Sequence, residues 1–129
     1  MENTDYIEFF KQDRFAVSSG IRLTEVKPGY AKAELTIAKN PLNAVNVPQV
    51  VDLFTLAVLA MAAAANANDR LAFSIQSDIR FLQSAFLGEK LYAEAHEILL
   101  RKTVCHYRVE IKKENGELVA VCDGICYRK

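Results

Sequence analysis

Hydrophobic positions along this chain follow two different periods, and the period changes mark the elements. Residues 4–15, TDYIEFFKQDRF, bring Tyr6, Phe9, Phe10 and Phe15 towards one side at helical spacing, with Thr4 placed to cap the N-terminus. Strict alternation follows. In GIRLTEVK, 20–27, Ile21 and Leu23 alternate with Arg22 and Thr24. In YAKAELTI, 30–37, Ala31, Ala33, Leu35 and Ile37 alternate with Lys32, Glu34 and Thr36. Pro28-Gly29 between them reads as the turn of a hairpin. The Asn-rich stretch 38–46 reads as a loop. From Pro48 to Ala65 the only clearly polar side chains are Gln49, Asp52 and Thr55, which predicts one long buried helix. Asn46 is its N-cap, Gln49 completes a capping box, Pro48 fits the first turn, and NAND at 66–69 ends it. Strands are predicted at 71–82, 90–102, 103–113 and 118–129, with SAFLGE at 84–89 as a turn and Asn115-Gly116 as a tight hairpin.

The order is thus helix, two strands, one apolar helix, four strands. A sheet of long antiparallel strands must have one face covered, and only the helix at 46–65 is apolar enough to cover it. The expected fold is α+β, a sheet wrapped around a single central helix, in one domain over residues 1–129. Hydrophobic residues make up 51 % of the chain, enough for an ordinary core. Sixteen basic side chains balance sixteen acidic ones, so no overall basic field draws nucleic acid or an anionic membrane. The apolar run of about 17 residues is at the lower limit for a membrane span, and Asp52 interrupts it. The N-terminus lacks the apolar stretch of a signal peptide. Cys105, Cys122 and Cys126 match no zinc or redox spacing and read as reduced, partly buried thiols, which suits the cytoplasm. No metal or cofactor motif is present.

Several stretches in order carry a more specific signal: FFKQDRFAVSSGIRLTEVKPGYAKAELTI, Leu42-Asn43, FTLA at 54–57 followed by AAAAN, SDIRFLQSAFLGEKLYAEA at 77–95, and YRVEIKKENGELVAVCDGICYR. Over about 120 residues the chain resembles the hotdog-fold acyl-CoA thioesterases, in the branch related to the phenylacetic-acid-pathway enzymes. The resemblance implies a homodimer or homotetramer in which two subunits join their sheets edge to edge. It implies hydrolysis of an acyl-CoA thioester without a cofactor. It further implies a site made of a loop Asn, a His-Gly-Gly at the helix start and an acid nine residues after that His, with a helix N-terminal amide as oxyanion donor.

Laid over this sequence, Asn43 matches the loop Asn, but Gln49 stands at the His position, Val50 and Val51 at the glycines, and Val58 at the acid. Ser74 matches a serine that some members use to hold the attacking water. Asp52 is the one carboxylate in the helix. It precedes Val58 by six residues and so lies about 240° around the helix from it. It is read either as a first-turn carboxylate settled by the helix dipole or as a relocated acid. Thr55 is one turn from Asp52 and within reach of it. The candidate catalytic set is therefore Asp52, Gln49, Asn43 and Ser74. Strict alternation puts Asp78 on the face of Ser74. Arg101 and Lys102, with Arg108, are the cations available to CoA phosphates. His96 and His106 read as surface or interface residues. Met61, Phe73 and Phe81 are expected to set pocket depth. Three functions follow: a thioesterase with a divergent site, a non-catalytic acyl-CoA binder, or an inactive partner of another hotdog subunit.

Overall fold

The computed structural model describes residues 20–37, 50–67, 70–86 and 88–129, without the side chains of Val50 and Val51. Among these residues the order is β1 (Ile21–Lys27), β2 (Tyr30–Thr36), α1 (Val50–Asn66), β3 (Ala72–Phe81), β4 (Lys90–Leu100), β5 (Val104–Lys113) and β6 (Leu118–Arg128). The strand limits fall within two residues of those read from the alternation. The helix expected at 4–15, the loop at 38–46 and the cap at Asn46 lie outside the described residues.

All six strands join one antiparallel sheet in the order β1-β2-β4-β5-β6-β3. The sheet curls around α1, which meets every strand. This is the hotdog arrangement. Alternation explains the two faces: Leu91, Ala93 and Ala95 of β4 are buried while Lys90, Tyr92 and Glu94 look outward, and β2, β5 and β6 repeat the pattern. Small residues set the helix close to the sheet. Ala57, Ala60, Ala63 and Ala64 of α1 face Ala31, Ala33, Ala93, Ala95 and Ala120, all fully buried. Leu35, Leu56, Met61, Tyr107 and Ile111 fill the remaining volume. Met61 lies over Gly124 of β6, where any added Cβ would overlap its thioether.

Three side chains fix the end of the sheet nearest the helix C-terminus. Asn66 donates to the Ala62 carbonyl at 2.8 Å and to the Ala72 carbonyl at 3.2 Å, and accepts from the Ala72 amide at 3.0 Å. The last turn of α1 is thereby tied to the first residue of β3. Across the sheet, Arg70 donates to the Lys102 and Lys129 carbonyls, and Arg128 donates to the Arg101 carbonyl. Among the described residues no helix is long and apolar enough to cross a membrane.

Candidate functional site

The side of α1 left uncovered is apolar, so it forms one wall of a groove rather than a solvated face. Phe54, Thr55, Val58, Leu59 and Ala62 supply that wall, and Ser74 and Ser77 of β3 supply the other, around about 390 Å³. These helix positions recur at a spacing of three and four and share one stripe. Asn66, one turn on, holds β3 at the edge of that stripe.

The β3 wall departs from simple alternation. A bulge between Ser74 and Gln76 shifts the register: Ser74 pairs with Cys126, Gln76 with Ile125 and Ser77 with Gly124. Cys126 and Gly124 are inward, so both serines face the groove. Their hydroxyls are 3.1 Å apart. Asp78 pairs with Asp123 and turns to the outer face, which corrects the expectation that it shares a face with Ser74. Ser77 takes its place in the groove. The one signal for Ser77 was a hydroxyl in the middle of the otherwise apolar set Phe73, Ile75, Ile79 and Phe81.

The other candidates are scattered. Asn43 and Gln49 lie outside the described residues. Asp52 is 8 % exposed and is not among the groove-lining side chains. Burial pushes its carboxyl above the usual range. Val58, at the expected acid position, lines the groove as a plain hydrocarbon. Among the described residues no carboxylate, imidazole or thiol lines it. Met61 and Phe73 do not line it either: Met61 is fully buried against Gly124, and Phe73 pairs with Tyr127 on the outer face.

Arg101 and Lys102 are exposed in the turn joining β4 to β5, their carbonyls clasped by Arg128 and Arg70. The turn adjoins the cross-strand row Leu100, Cys105, Cys126, Ser74. Two strand spacings, about 10 Å, separate β5 from β3. Arg108 does not join these cations. It donates to Asp123 at 3.1 Å on the outer face, where His106 lies 3.4 Å from the same carboxylate. Burial alone would push the Asp123 carboxyl up, but Arg108 and His106 hold it below its usual range. His96 is exposed and packs edge-on against Tyr30, at 5.1 Å between ring centres. The three cysteines are buried, and burial pushes the Cys126 thiol up to about 12 and that of Cys122 to about 11. They are poor nucleophiles at neutral pH.

A family model, the thioesterase superfamily, matches residues 42–120. A protein of Archaeoglobus fulgidus named "Putative esterase" is 39 % identical over 96 % of this chain and 79 % of its own length. The "Acyl-coenzyme A thioesterase PaaI" of Escherichia coli is 29 % identical over 92 % of this chain and 85 % of its own. The solved structure of the E. coli PaaI protein from the phenylacetic acid degradation operon superposes with a TM-score of 0.92, covering 98 % of this chain and 91 % of that one at 28 % identity. With the groove placed between the helix and the edge of a hotdog sheet, these matches establish that the chain belongs to the thioesterase superfamily.

Proposed function

We propose that this protein binds an acyl-CoA thioester, seats the acyl group in the groove between α1 and β3, and hydrolyses it at a divergent site. One observation carries the reading: an apolar groove whose polar lining, among the described residues, consists of hydroxyls only, Thr55, Ser74 and Ser77. Such a lining suits a neutral group with an apolar tail, and a thioester is one. The name of the E. coli relative supports the substrate class. We assign the phosphates of CoA to Arg101 and Lys102, which lie at the Ser74 end of the sheet.

A second reading is favoured by Val58. With a hydrocarbon at the acid position and Asp52 not among the lining side chains, the groove has no general base among the described residues, and binding without turnover follows. The two readings separate in one experiment. CoA release is followed over short-chain, medium-chain and aromatic acyl-CoAs, with binding measured by calorimetry on the same panel. Release above the uncatalysed rate supports hydrolysis. Micromolar binding with no release supports the binder. Neither release nor binding rejects both.

We also propose that two copies join along β3. Its outer edge is unpaired among the described residues, and Phe73, Ile75 and Phe81 are exposed on it, at 48 %, 61 % and 44 %. A strand of ten residues with such side chains needs a cover. The opposite edge, β1, has seven residues and carries Arg22, Glu25 and Lys27 outward.

A further inference from the structure

We infer that Ser77 and Ser74 form a hydroxyl relay that polarises the thioester carbonyl, with Ser77 donating to Ser74 and Ser74 donating to the carbonyl oxygen. The inference rests on the groove being the acyl-thioester site. It begins with the bulge. Without the extra residue at Ile75, Ser77 would point to the outer face and Ser74 would stand alone in the groove. With it, the two oxygens sit at hydrogen-bond distance, 3.1 Å, in a groove whose other described lining is Phe54, Thr55, Val58, Leu59 and Ala62.

Two hydroxyls so placed are not equivalent. Ser77 is half-buried and Ser74 is exposed. The inner hydroxyl that gives its proton to the outer one leaves the outer O–H aimed at the groove. A hydroxyl that accepts a hydrogen bond becomes a stronger donor, and more so beside apolar walls. A thioester carbonyl is an acceptor with no proton of its own, so it takes the free end of the chain. During hydrolysis the water oxygen bonds to the carbonyl carbon and the C=O π pair moves onto the carbonyl oxygen, where the Ser74 O–H meets it. That pair then returns, the C–S bond breaks with its electrons on sulfur, and the proton lost by water ends on the CoA thiolate. Acid and thiol are the products. Ser74 touches the reacting group; Ser77 acts through Ser74 and is a positioning residue.

The test uses hexanoyl-CoA and benzoyl-CoA labelled with carbon-13 at the carbonyl. The infrared stretch of the bound carbonyl is read in wild type, Ser77→Ala, Ser74→Ala and the double variant, with CoA release measured alongside. The relay predicts a lowered stretch in wild type, a partial return towards the free value in Ser77→Ala and a full return in Ser74→Ala. It predicts a kcat about tenfold lower in Ser77→Ala with KM little changed, as for loss of one transition-state hydrogen bond. The double variant should be no worse than Ser74→Ala alone, and Ser77→Thr, which keeps the hydroxyl, should retain the wild-type stretch. An unshifted carbonyl in a wild type that binds the thioester overturns the relay and leaves the binding site standing. So does additivity of the two alanine variants. Failure of wild type to bind either thioester removes the site itself, and the relay with it.

Discussion

Asp52 shows how much one residue's meaning depends on where its neighbours turn. In the sequence it is the only acid in a helix that lacks the expected one, and so it stands out as a replacement. In the structure it is buried on α1 and is not among the side chains that line the groove, and among the described residues no ion pair reaches it. Burial raises its pKa, so the folded state holds the proton more tightly than the unfolded chain does. The sign follows: Asp52 favours folding below the ordinary carboxylate value of 3.8, and that contribution is lost as pH rises through the elevated value. Asp52→Asn should therefore melt a few degrees higher than wild type at pH 7–8, and the difference should vanish in acid. Thermal melts across pH measure this. If the substitution instead abolishes CoA release from a protein that still folds, Asp52 is the relocated acid after all. Ser77 marks the opposite case. Strict alternation counted from Ser74 puts Asp78 in and Ser77 out, yet the extra residue at Ile75 moves Ser77 in and Asp78 out. A bulge conserves composition and period on both sides of itself, so no count of matches to a template reveals it.

Whole elements were more legible than residues, because each was written by a repeating burial pattern rather than by one contact. Outward charges alternating with inward alanines defined β2 and β4, and Asn115-Gly116 defined the β5–β6 hairpin. The strand order was not written this way. That β3 crosses to the far edge beside β6 rather than pairing with β4 depends on contacts between distant segments. Asn66 is one of those contacts, and it looked like nothing more than a helix stop in NAND. Its amide bonds the Ala62 carbonyl within α1 and makes two hydrogen bonds to Ala72 that hold β3 to the end of the helix. Asn66→Ala should cost about 1–3 kcal/mol in urea unfolding, since the Ala72 amide and carbonyl lose their side-chain partner. Hydrogen exchange at Ala72 should quicken, and acyl-CoA binding should weaken with it. Unchanged exchange there would mean that the strand is held by β6 alone.

The molecule as a whole carries no net charge, so what charge does is a matter of placement, and the edge of β3 is where placement decides most. If two copies join there with both helices on the same side of a continuous sheet, the two-fold axis must fall on a residue, because an axis between residues would set inward side chains opposite outward ones. Each choice of residue has a charge consequence. An axis at Asp78 opposes two carboxylates, and an axis at Arg80 opposes two guanidiniums. An axis at Ile79 sets Asp78 of each copy against Arg80 of the other, twice, and brings Phe81 of the second copy beside Ser77 at the groove. Among the described residues neither Asp78 nor Arg80 has an ion-pair partner within the chain. The Ile79 register is therefore the expected one. Asp78→Arg should weaken the dimer by about a hundredfold by placing like charges together, while an arginine at 78 meets Asp123 across the β3–β6 pair and spares the fold of the single chain. Adding Arg80→Asp should restore the dimer with the signs exchanged. Ile79→Cys should cross-link under mild oxidation, since directly opposed residues in an antiparallel pair are close enough for a disulfide, whereas Ser77→Cys should not. Sedimentation across a concentration series reads all of these. A double variant that stays monomeric, or a cross-link formed through position 77 in place of 79, would put the axis elsewhere and remove Phe81 of the second copy from the site.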